Sequence, residues 1–95
     1  MENLRQLMAA YFHQDWSEEY DGSWEVAVDD FMRREPSRVA HTRAEIATLL
    51  GDTDDDGELG RALEALGNYY WPGEGTEPHR QWLVQVESRL STPTA

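Results

Sequence analysis

Apolar residues in this chain return every three or four positions, and that spacing is what most restricts its fold. Leu4, Leu7, Met8, Tyr11 and Phe12 mark the inner face of a first amphipathic helix. Gly22 and Ser23 break the chain, with Ser23 placed as the N-cap of a second helix whose stripe is Trp24, Ala27, Val28 and Phe31. Pro36 ends that helix, and Pro36 or Ser37 opens a third, with Val39, Ile46, Leu49 and Leu50 inward. Gly51 is expected to stop it. Leu59, Ala62, Leu63 and Leu66 mark a fourth helix ending at Gly67. The segment from Trp71 to Pro78 carries two Pro and two Gly and reads as loop. Pro78 then suits the first turn of a last helix carried by Trp82, Leu83, Val86 and Leu90. Residues 91–95 are expected to fray. No alternating run is long enough for a strand. The expectation is a single all-α domain, residues 1–95, of about five helices.

The connector GDTDDDGELG, residues 51–60, resembles a calcium loop, with Asp52, Asp54 and Asp56 at alternate positions and Gly57 at the turn. It fails at its last ligand. Calcium loops of the helix–loop–helix type need a bidentate carboxylate at the twelfth position, which here is Leu63. Glu64 falls one residue late, and one residue on a helix is a rotation of roughly 100°. The other reading needs no metal: Asp54, Asp55 or Asp56 accepts hydrogen bonds from the free N–H groups that begin the next helix.

Catalytic chemistry finds little to work with. There is no Cys and no Lys, which excludes thiolate and Schiff-base nucleophiles and any disulfide. His13, His41 and His79 are scattered, and none has metalloprotease spacing. His13 and Asp15 offer two metal ligands without a third. Pairs such as Glu18-Glu19 and Asp29-Asp30 read as solvated helix faces. No Gly-rich phosphate loop is present. The chain is expected to be neither an enzyme nor a holder of a metal or cofactor.

Charge points to the kind of partner. Nineteen acidic residues face eight basic ones, all arginine, for a formal charge of −11. Nucleic acid and anionic membrane would repel such a chain, whereas a basic protein surface would attract it. Met1 to Arg5 lacks the basic-then-apolar pattern of an export signal, so a soluble, cytoplasmic protein is expected. Ten aromatic residues supply contact anchors as well as core. Seven of them gather in two polar-flanked clusters, residues 11–21 and 67–73. Three successive aromatics, Tyr69, Tyr70 and Trp71, cannot all face one core. His13, Tyr69 and Trp82 read as structural. Trp16, Tyr20, Tyr70 and Trp71 read equally as core or as contact.

Tyr11-Phe-His-Gln-Asp-Trp16 resembles a signature near the N-terminus of immunity proteins of contact-dependent growth inhibition and related polymorphic-toxin systems, the CdiI type. The resemblance continues through Trp24-Glu25, Phe31, Gly67-x-Tyr69-Tyr70-x-Pro72 and Trp82-Leu83, and so spans nearly the whole chain. It implies a small acidic helical protein that binds and neutralises the toxic C-terminal domain encoded beside it. Charge adds the expectation that the toxin is a nuclease with a basic cleft. The candidate contact residues are Asp15, Trp16, Glu18, Glu19, Tyr20, Asp21, Asp52, Asp54, Asp55, Asp56, Tyr70 and Trp71. Two other functions fit the composition: a calcium-responsive binder using residues 52–58, and an acidic regulator of an endogenous nucleic-acid-binding protein.

Overall fold

The five periodic stripes fold as the spacing predicts, and a computed structural model describes residues 1–91 of the chain. The helices are α1 (Glu2–Tyr11), α2 (Trp16–Glu19), α3 (Trp24–Arg34), α4 (Val39–Asp52), α5 (Asp56–Ala65) and α6 (Pro78–Leu90). A single 3-10 turn, Pro36–Arg38, leads into α4. No strand occurs among the described residues. Most of the segment expected to fray, residues 92–95, lies outside the described residues. The short α2 is an addition to the five expected helices. One turn is too short to show a period of 3.6, so nothing in its apolar spacing announces it. Its carbonyl ladder starts at Asp15, and an Asp21-Gly22 turn with positive φ at both residues closes it.

Helix α6 is the centre of the bundle and packs against α3, α4 and α5, while α1 packs across α3 and α4. The core is made of the predicted stripes: Leu4, Leu7, Met8 and Phe12 meet Val28, Phe31, Ile46, Leu63, Leu83 and Val86, all fully buried. Val39, Leu50 and Trp24 sit at its rim instead of inside it. Thr42 is fully buried beside Ile46, a core position that its polar side chain conceals in the sequence.

Two glycines expected to end helices behave differently. Gly67 has φ 99, and the N–H groups of Gly67 and Asn68 bond back to the carbonyls of Glu64 and Leu63, closing the end of α5. Gly51 does not terminate α4, which runs through it to Asp52 and stops at the extended residue Thr53. The reason lies on another helix. The Arg80 guanidinium donates to the carbonyls of Leu50 (3.1 Å) and Thr53, so the end of α4 is satisfied without a left-handed glycine.

Ser23 caps α3 as expected, accepting from Val26 N–H. Two other helices are capped from a distance. Glu45 of α4 accepts from the N–H groups of Leu4 (2.8 Å) and Asn3 at the start of α1. Asp56 of α5 does the same for α6, accepting from the N–H groups of His79 (3.3 Å) and Arg80 (2.9 Å).

Core and surface aromatics should separate on truncation. Phe31→Ala removes a fully buried ring that meets Tyr11 edge-on, and should cost about 3–5 kcal/mol. Trp71→Ala should stay within about 0.5 kcal/mol of the parent protein, because its ring is exposed. Urea unfolding of both variants measures the difference, and a Trp71 variant as unstable as Phe31→Ala would place that ring in the core.

A candidate protein-binding surface

The two aromatic clusters meet in space. Behind Gly67, the buried Asn68 clamps the chain: its side chain accepts from Tyr70 N–H and donates to the Tyr70 carbonyl, both at 3.0 Å. Tyr69 N–H donates to the Phe12 carbonyl at the end of α1, at 2.8 Å. Gly67 itself runs so close to α1 that a Cβ there would lie 3.1 Å from the Ala9 Cα. These bonds decide which way each ring points.

Tyr70 turns inward and stacks on Trp82, with centroids 4.4 Å apart, and meets Trp16 (5.2 Å) and Phe12 (5.9 Å) edge-on. Tyr69 and Trp71, its neighbours on either side, point outward and are 62% and 67% exposed. The expectation that Tyr69 is structural is therefore corrected. Successive side chains of an extended segment alternate, and the inward place belongs to Tyr70. Trp82 is core, as expected. Its indole N–H finds no partner among the described residues.

Trp16 is half-buried on α2, beside the exposed Asp15, Glu18, Glu19 and Asp21. His13 holds this turn in place. Its Nδ1 accepts from Asp15 N–H at 3.1 Å, which puts its proton on Nε2, 3.2 Å from Glu19. Tyr20 faces elsewhere. Its hydroxyl donates to Asp30 on α3 at 2.8 Å, and burial together with that bond pushes its pKa up to about 12. Tyr20 therefore ties α2 to α3.

The acidic connector divides its carboxylates between two tasks. Asp55 caps α5 by accepting from Gly57 N–H at 2.8 Å. Asp56 caps α6 and also bonds His79 Nδ1 at 2.8 Å. Asp52 and Asp54 are exposed. Among the described residues no group of three or more His, Asp or Glu side chains is arranged to hold a metal ion. The connector works as a helix junction.

A cleft of about 410 Å³ opens beside the exposed aromatics. It is lined by Tyr69, Tyr70 and Trp71 together with Gly60, Glu64, Gly67, Asn68 and His79. Glu64 and His79 were not among the residues expected to make contacts. Glu64 stands five residues before the aromatic triplet and His79 eight after it, and neither spacing points to a shared cleft. The one local hint is Gly60, a glycine inside a helix, buried under the His79 ring. No helix among the described residues is long and apolar enough to cross a membrane.

This is an acidic, all-α protein whose junction carboxylates hold helix ends while its outward aromatics stand beside one cleft. The family model of the CdiI immunity protein matches residues 1–90, and the chain belongs to that family. Its members' role is immunity, the neutralisation of a toxin protein. Neither a search of curated proteins nor one of solved structures gave a match.

Burial opposes ionisation of Asp56, but the N–H bonds of Arg80 and His79 and the nearby imidazole outweigh it and hold its pKa below the ordinary 3.8. A carboxyl lowered by folding contributes its full stability above the unfolded value. That contribution is lost as pH falls through the lower folded value. Asp56→Ala should cost about 1–3 kcal/mol at neutral pH. The gap from the parent protein should narrow below about pH 4, where the unfolded carboxyl takes up its proton. Unfolding both proteins in urea across this range checks it, and a pH-independent gap would deny the charged cap. Millimolar calcium should leave the melting temperature unchanged, whereas a one-to-one calorimetric site of micromolar affinity would return the connector to metal binding.

Proposed function

We propose that the protein neutralises the toxin domain encoded beside it, a nuclease, by seating its outward aromatics on the toxin's basic functional surface. The observation that carries this reading is the Tyr69–Trp71 pair. Two large rings stand exposed on a segment fixed by Asn68 and by the Phe12 carbonyl. Exposed rings on rigid backbone lose little freedom on binding, which is what an anchor requires.

Charge supports it. Six of the eight arginines are engaged within the fold. Arg33 and Arg34 meet Asp30, Arg38 meets Glu35, Arg43 meets Glu87, Arg89 meets Asp29, and Arg80 holds the end of α4. These pairs neutralise acids of α3 and α6. Asp15, Glu18 and Asp21 around Trp16, and Glu64 in the cleft, make no ion pair among the described residues. These four carboxylates give the aromatic surface a negative rim, and Asp52 and Asp54 are exposed elsewhere on the chain. Such a rim draws in a basic cleft and competes with its phosphate substrate.

Co-expression should rescue cells from the neighbouring toxin domain and fail against unrelated toxin domains of the same chemistry. In stopped-flow experiments, Glu18→Gln combined with Asp21→Asn should slow association by about tenfold or more at low salt and flatten its salt dependence. Trp71→Ala should act on dissociation instead, at a cost of about 2 kcal/mol or more. Association indifferent to salt would remove the electrostatic part, and absence of binding to the toxin domain would remove the whole reading.

A further inference from the structure

The cleft beside Trp71 has a chemical bias of its own. Its floor is an imidazole where a side chain would otherwise stand: a Cβ on Gly60 would come 2.8 Å from both Cε1 and Nε2 of His79. Asp56 accepts from Nδ1 of that ring at 2.8 Å. A carboxylate only accepts, so Nδ1 carries a proton, and in the neutral ring Nε2 is left as an acceptor over Gly60. Glu64, exposed on the next turn of α5, contributes a carboxylate to the same cleft. Asn68 is spent on the Tyr70 backbone. Among the described residues neither Nε2 of His79 nor the Glu64 carboxylate has a hydrogen-bond partner, and both residues line the cleft together with Tyr69 and Trp71.

We propose that this cleft receives an arginine side chain from the protein partner. A planar guanidinium stacks on aromatic faces and donates in several directions at once, here to the Glu64 carboxylate and to His79 Nε2. A lysine ammonium supplies the charge without the plane. The volume of about 410 Å³ accommodates the group with its stem. The proposal rests on the immunity reading for the partner being a protein with a basic surface, whereas the preference of the cleft belongs to this chain and is testable without a partner.

The isolated protein would be titrated with N-acetyl-arginine amide, its lysine counterpart and its uncharged citrulline counterpart, followed by amide, indole and imidazole NMR shifts. Saturable millimolar binding is expected for the arginine compound, with shifts at Gly67, Asn68, the Trp71 indole and the His79 ring. The lysine compound should bind more weakly and the citrulline compound should not saturate. Glu64→Gln and Trp71→Ala, both at exposed positions, should each weaken binding about two- to fivefold with the rest of the spectrum unchanged. Equal shifts from arginine and citrulline, no saturation, or indifference to both substitutions would overturn the proposal. So would a dimer of the protein, seen by sedimentation and lost in Trp71→Ala, which would give the cleft to a second copy. Rescue from the toxin with no arginine binding would leave immunity standing and remove the cleft's role. Arginine binding without rescue would do the opposite.

Discussion

One carboxylate, that of Asp56, holds the arrangement of three helices. It stands at the start of α5 and receives the N–H groups that begin α6, along with the ring of His79. The next residue of α6, Arg80, sends its guanidinium to the last carbonyls of α4. Opposite ends of helix dipoles are thus satisfied by side chains of neighbouring helices at a single junction. This matters for the rest of the molecule because α6 is the helix that α3, α4 and α5 pack against. Its Trp82 is the platform for Tyr70, and Tyr70 sets the phase of the exposed rings on either side. The acidic connector therefore positions the aromatic surface from the opposite end of the same contacts.

A chain of ring contacts runs from α3 through Trp82 to the aromatic surface. Trp24 meets Trp82 edge-on, Trp82 stacks on Tyr70, and Tyr70 meets Trp16, with Phe12 touching the last three. Burial is greatest at Phe12 and Trp82 in the middle of this chain, while Trp24 at one end and Tyr70 and Trp16 at the other are half-buried. Edge and stacked contacts of this kind have preferred geometries and add to the energy of burial. The exposed pair thus begins where a rigid core ends. A surface ordered before contact spends less of its binding energy on ordering, which suits the role proposed for the exposed pair.

The motif that carries the family resemblance is largely scaffold. Phe12 supplies core and a carbonyl for Tyr69, His13 braces the turn before α2, and Gly67 closes α5 against α1. Asn68, the unspecified position inside Gly67-x-Tyr69-Tyr70, orients the aromatic triplet. Residues that present the surface and residues that hold it are interleaved. A motif read without its structure names the family more readily than it names the contacts.

Apolar spacing determined the all-α class, the five long helices and most of the core, because burying a stripe at period 3.6 depends on neighbours within a few turns. Composition determined the negative charge and the absence of thiol or amine nucleophiles. Local pattern could not separate Gly51 from Gly67, since both follow a leucine near the end of an apolar stripe. An arginine from α6 made the first a helix residue and left the second to close its own helix. Nor could it phase Tyr69 against Tyr70, which a carbonyl on α1 and the clamp of Asn68 decide. Which carboxylates are spent on helix ends, and which stay free to meet a partner, is likewise a matter of tertiary contact. A carboxylate is satisfied by whichever donors packing brings within about 3 Å, and those donors come from residues far along the chain.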